Sequence, residues 1–110
     1  MARRKRDVMR GTLQLLVLKA VSPEPLHGVA ISRRIGQMTG GELKVSFGSL
    51  FPSLHTMEEK GWIAAEWRIS ENNRRAKYYR LTRSGRAQLK AEEQDWRRIV
   101  DVMAMALRSS

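Results

Sequence analysis

Apolar positions fall into blocks whose spacing changes along the chain, and each change marks a boundary between elements. Leu13, Leu15, Leu16, Val17, Leu18 and Ala20 leave hardly any polar side over residues 12–21, which predicts a helix buried on several sides. The run Ser22-Pro23-Glu24-Pro25 ends it, because neither proline continues a helical hydrogen-bond ladder. Ile31, Ile35 and Met38 share one face of a second helix over residues 27–39, with Arg33 and Arg34 pointing elsewhere and Gly40-Gly41 as the stop. Leu43-Lys44-Val45 alternates, as a short strand or an extended linker does. Leu50, Leu54 and Met57 then recur at i, i+4 and i+7, a third helix capped by Ser46 and stopped by Gly61. Pro52 has no N–H to donate, so it is expected in the first turn or at a bend. Ser49, Ser53, Thr56 and Lys60 lie off that apolar stripe. Two short helices, a glycine-containing connection and a polar face on the second are the grammar of a helix-turn-helix.

Beyond Gly61 the period drops from 3.6 to 2. Ile63, Ala65, Trp67 and Ile69 share one strand face, Ser70-Glu71-Asn72-Asn73 turns, and a return strand over residues 76–81 puts Tyr79 and Leu81 inward. Thr82 caps a last helix reaching to about Arg108, on the order of 40 Å long. Leu89, Trp96 and Met103 recur every seven residues, and Ile99 and Ala106 take the companion positions. Val100, Val102 and Leu107 widen the apolar face, while Glu92 interrupts it. A domain this small does not cover so long a helix, so a second copy of the chain is its natural cover. The fold class expected is mainly α with a small β hairpin. Residues 1–10 form a basic arm, residues 11–82 a winged helix-turn-helix domain, and residues 83–110 a dimerisation helix.

Charge sharpens this picture. Among 110 residues, 21 Lys and Arg face 11 Asp and Glu, a net charge of +10 that favours polyanions, nucleic acid before an anionic membrane. Arg3-Arg4-Lys5-Arg6 opens the chain, either as an arm that touches phosphates or as a solvated tail. Arg74, Arg75 and Lys77 crowd the hairpin tip, where like charges repel unless an anion lies opposite. No cysteine is present, which excludes disulfides and thiolate metal sites and suits a reducing compartment. His27 and His55 stand far apart, and His27 after its proline turn reads as a helix-end hydrogen-bonding group rather than a catalyst. The longest apolar run, Leu15 to Leu18, is far short of the roughly 20 residues of a membrane span. Glu92, Glu93, Asp95 and Asp101 on the last helix argue against an anionic membrane surface. No nucleophile with its base, phosphate-cradling loop or carboxylate pair suggests an enzyme or calls for a cofactor.

In order and spacing, several blocks together resemble the PadR family of bacterial transcriptional regulators. They are Gly11-Thr12-Leu13, Pro25-Leu26-His27-Gly28, Gly48-Ser49-Leu50-Phe51-Pro52, Glu58 with Gly61-Trp62-Ile63, the run from Asn72 to Tyr79, and Leu81-Thr82-Arg83-Ser84-Gly85. The single terminal helix is similar to the family's smaller branch. That resemblance implies a cytoplasmic winged helix-turn-helix homodimer that binds double-stranded DNA, represses nearby genes and often releases DNA to a small aromatic or other apolar effector. Two departures stand out: Phe51 where the family usually has tyrosine, and Thr56 where many relatives carry arginine. Both remove polar reach from the third helix and shift weight to the hairpin and the arm.

The candidate DNA contacts are therefore Ser49, Ser53, His55, Thr56 and Lys60 on the third helix with Arg74, Arg75 and Lys77 on the hairpin. Leu89, Trp96, Ile99, Val100, Met103 and Leu107 are the candidate dimer contacts. Trp96 is either a core anchor of that interface or, as some relatives imply, a platform for a planar effector. The competing function is a basic nucleic-acid-binding protein of structural role, without operator or effector control.

Overall fold

Side-chain caps and left-handed turns decide where each helix of this chain begins and ends. The computed structural model describes residues 5–109, with side chains from residue 11 onward. The elements are α1 (Lys5–Val21), β1 (Leu26–His27), α2 (Gly28–Met38), α3 (Phe47–Glu59), β2 (Ile63–Ile69), β3 (Arg75–Leu81) and α4 (Arg83–Arg108). His27 caps α2, its Nδ1 accepting the Ala30 N–H at 3.2 Å. Ser46 caps α3 by accepting the Ser49 N–H at 3.2 Å, and Thr82 caps α4 by accepting the Gly85 N–H at 3.0 Å. Each such cap is worth about 1 kcal/mol and fixes the register of the apolar stripe behind it. Gly61, at φ 77°, turns the chain out of α3 as its place in the sequence requires.

Several expectations need correction. Helix α1 begins at Lys5, not near residue 12, so Lys5 to Arg10 are backbone-helical and only residues 1–4 of the basic arm lie outside the described residues. The Leu43–Val45 stretch is a loop rather than a strand, held where the Ser32 hydroxyl donates to the Val45 carbonyl at 3.2 Å. Pro52 lies inside α3, beyond its first turn, and withdraws the donor that the Gly48 carbonyl would otherwise receive. The hairpin gains a third strand: β1 pairs antiparallel with β3, Leu26 opposite Tyr79 and His27 opposite Tyr78, giving the order β1-β3-β2.

The core lies where α1, α2, α3 and the root of the hairpin meet. Val17, Leu18, Ile31, Ile35, Leu50, Leu54, Met57 and Ile63 are essentially inaccessible, with Tyr79, Leu81 and Leu89 closing the rim. Each buried side chain of this size contributes roughly 1.5–3 kcal/mol, against at most about 1 for an exposed ion pair such as Arg34–Glu24. Packing, not surface charge, therefore fixes the arrangement. The body extends to 58 Å in one direction against 28 and 26 Å in the others, because α4 runs 26 residues. No helix among the described residues is long and apolar enough to cross a membrane.

Candidate nucleic-acid interface

On α3, the face opposite Leu50, Leu54 and Met57 is a ridge of Gly48, Pro52, His55 and Glu59, all exposed. His55 Nε2 stands 3.6 Å from Glu59 Oε1, one helical turn on. Ser49 is exposed at the amino end, its Oγ accepting a hydrogen bond from the Ser46 hydroxyl at 3.2 Å. Thr56 is half-buried, and its hydroxyl donates back to the Pro52 carbonyl at 3.1 Å. Ser49, Ser53 and Thr56 share one flank of α3, where they line a groove with Thr12, Leu13 and Leu16 of α1.

Ser53 does not belong among the base-reading candidates. It is 7 % exposed, and its hydroxyl lies 3.7 Å from the Met57 sulfur in the core. Off the stripe in sequence, it falls on the flank that α1 covers, where a small side chain fits and a long one does not. Lys60 remains exposed, with its ammonium 4.6 Å from the centre of the Trp62 ring.

Phe51 has a different task from the phosphate contact its family counterpart suggests. Its ring lies over the start of α2 so closely that a Cβ on Gly28 would be 2.8 Å from Phe51 Cζ. The ring ties the two helices of the motif together while leaving its other side open, 5.8 Å from Phe47. The sequence signal was the pairing of a glycine at the start of one helix with an aromatic in the next.

In the hairpin, Asn73 takes φ 58° and Ser70 N–H donates to Arg74 C=O at 2.7 Å, closing the tip. Its four cations are not equivalent. Lys77 reaches back to Glu58 of α3 at 3.2 Å, and Arg68 pairs with Glu66. Arg75 stacks on Trp67, 4.8 Å from the ring centre. Neither Arg74 nor Arg75 has a carboxylate within ion-pair distance among the described residues. Two unneutralised guanidiniums at the tip are the strongest anion-seeking feature of this surface. Tyr79, below them, has its phenol pushed above the ordinary 10.0 by burial, a rise that Lys77 opposes and Glu58 adds to.

Two helices packed at a small core, the second fronted by a polar amino end and flanked by a cationic hairpin, are the geometry of a winged helix-turn-helix. The model of the PadR-like transcriptional regulator family matches residues 17–91. The chain belongs to the PadR-like family. A curated relative, a transcriptional regulator of Mycobacterium tuberculosis, is 30 % identical over 84 residues, covering 76 % of this chain and 75 % of that protein. A PadR-like regulator of Bacillus cereus superposes with TM-score 0.81 at 25 % identity, over 94 % of this chain and 99 % of that one. A PadR family regulator of Eggerthella lenta gives TM-score 0.78 at 28 % identity, over 96 % and 89 %. This PadR-like chain is thus a DNA-binding transcriptional regulator, in a family of regulators rather than enzymes.

Helix α4 divides in two. In its first half Leu89 is 8 % exposed and packs in the core of its own domain, which corrects its assignment to a dimer interface. Gln88 donates to Glu92 Oε1 at 3.0 Å, and Lys19 of α1 meets Glu93 at 3.5 Å where the helix leaves the body. Beyond that point Trp96, Ile99, Val100, Met103 and Leu107 are 47–79 % exposed.

Proposed function

We propose that this protein is a homodimeric repressor that grips its operator with two copies of α3 and the wing. A small aromatic or apolar effector entering between the paired α4 helices releases it. The observation that carries this is the exposed face of α4: at 100° per residue, Ile99, Met103, Trp96, Leu107 and Val100 fall within one third of the helix circumference. Such a stripe, left in water, costs far more than a regulator of this size tolerates, and a two-fold axis covers both copies at once. Leu89 lies on the same face, so the stripe that closes the monomer core continues without a break into the proposed interface.

On the DNA side, Ser49, His55 and Lys60 present hydrogen-bonding groups to a groove, with Thr56 at its edge. Arg74, Arg75 and Lys77 supply charge to the backbone alongside, since phosphate contacts position the protein while base contacts specify the site. The test begins by capturing genomic fragments, including the region upstream of the protein's own gene, on purified protein. The fragment recovered should bind at least about a thousandfold more tightly than random duplex at fixed salt. Equal affinity for both would replace the repressor with a basic structural protein. Sedimentation at micromolar concentration should give a dimer, and a planar aromatic compound should quench Trp96 and release the fragment; a Trp96→Leu control identifies the quenched ring.

A further inference from the structure

The wing carries an apolar surface that the core does not use. In the β2–β3 ladder, Ile63 faces Leu81, Ala65 faces Tyr79, Trp67 faces Lys77 and Ile69 faces Arg75, so all eight side chains share one face. The first two rungs are core or half-core. The last two outrun the domain, leaving Trp67 58 % and Ile69 65 % exposed on the side of the hairpin that also meets α3 through Lys77 and Glu58.

We propose that Trp67 and Ile69, with the Arg75 guanidinium stacked on the indole, form a second DNA contact that presses into the minor groove flanking the site read by α3. This rests on the DNA-binding reading above. Three observations select a duplex as the occupant. The charge around the patch is cationic: Arg75 stands on it and Arg74 beside it. The sole carboxylate meeting this face is Glu58, which Lys77 already engages. The patch also adjoins the recognition helix, so a duplex lying along α3 reaches it without a second docking event. Finally, α3 itself offers few base readers, because Ser53 is buried, Thr56 is bonded back to Pro52 and His55 stands against Glu59. An apolar wedge with an arginine beside it is how proteins read minor-groove width and deformability instead of base-edge donors.

The experiment uses 30-base-pair duplexes selected from a random-sequence pool by the full-length protein, with affinity measured across a salt series. Trp67→Ala and Ile69→Thr should each lower affinity by roughly tenfold while leaving the slope of log affinity against log salt unchanged, since neither removes a charge. Trp67→Phe should keep most of the affinity, and would carry the test if the alanine variant failed to fold. In the same series Arg74→Ala should reduce the slope. Preference for flexible steps in the flanking sequence should fade in Trp67→Ala alone. Parent-like affinity and flank preference in Trp67→Ala would overturn the proposal. So would a shift in sedimentation at unchanged DNA affinity, which would assign the patch to another copy of the chain. Binding of the parent, but not Trp67→Ala, to anionic phospholipid vesicles with equal DNA affinity would assign it to a lipid surface. A parent protein that selects no duplex at all defeats the DNA-binding reading itself, and this proposal with it.

Discussion

Gly85 in the first turn of α4 lies so close to Trp62 that a Cβ there would sit 1.9 Å from the Trp62 carbonyl oxygen. The Thr82 N–H donates to that same oxygen at 3.1 Å, and the Ser84 hydroxyl donates to Gly61 C=O at 2.8 Å. The end of α3 and the start of α4 are thus one tied corner. Gly85→Ala would drive a methyl group into backbone, which unlike a flexible side chain does not give way. Denaturant unfolding should show a loss of about 3 kcal/mol, the upper end of overpacking costs. A variant as stable as the parent would mean that the corner relaxes freely.

Removing charge at the wing should separate its cations by their partners. Arg74→Ala combined with Arg75→Ala should weaken binding to every duplex and flatten the salt dependence by about 0.9 for each phosphate no longer neutralised. Lys77→Met should change that slope less, because its ammonium is already engaged by Glu58. Equal slopes for all three proteins would take the tip off the phosphates.

Ser49 and Ser53 stand one turn apart on α3, and their exposure differs. Ser49→Ala should change the preferred sequence, by roughly 1–3 kcal/mol at one base pair, with little effect on random DNA. Ser53→Ala should leave sequence preference untouched, since its hydroxyl faces the core. Selection from a random-sequence pool with each variant reads both outcomes, and an altered preference in Ser53→Ala would contradict its burial.

At Trp96 the prediction concerns bulk against shape. Trp96→Ala should weaken the proposed dimer by roughly 2 kcal/mol or more, as truncating a central aromatic anchor does. Trp96→Leu should recover most of that loss while abolishing quenching by planar aromatic compounds. If leucine restores the dimer and no compound quenches the native protein beyond the leucine variant, Trp96 is packing alone.

Alkaline pH should expose the buried phenol of Tyr79. Folding favours its neutral form, so its contribution is intact below the ordinary tyrosine value of 10.0 and is lost as pH rises through the higher folded value. Tyr79→Phe has no proton to lose. Its stability should fall less steeply above pH 10 than the parent's, measured by denaturant midpoints at matched ionic strength. Parallel curves would show that other groups govern the alkaline transition.

Long-period signals in the sequence carried the fold well, and short or two-sided ones did not. Leu50, Leu54 and Met57, or the alternation from Ile63 to Ile69, each repeat a period often enough to declare one face, and those elements stand within a residue or two of expectation. Leu26–His27 is too short to have a period, and its strand exists because Tyr79 and Tyr78 lie alongside, a fact of tertiary structure. Lys5 to Arg10 read as an arm because their charge masked a helix whose apolar face starts later. In the site, the cations of the wing were evident from composition, but their pairing was not: the Lys77–Glu58 contact joins positions 19 residues apart. The burial of Ser53 was likewise invisible, because a helical period says which residues share a face but not how far a neighbouring helix wraps around it.

The tied corner at Gly85 has a mechanical consequence for a pair of such chains. From Gly85 to Leu107 the helix acts as a lever roughly 33 Å long, and its fulcrum is the backbone that ends α3. A rotation of about 10° at that fulcrum sweeps the far end through about 6 Å; with the far ends held together, the same rotation moves the two copies of α3 apart or together. Successive major grooves on one side of a duplex lie about 34–36 Å apart, so a change of that size puts one recognition helix out of phase with the groove. A small wedge between the levers would then loosen the grip on DNA without touching a single DNA-binding residue.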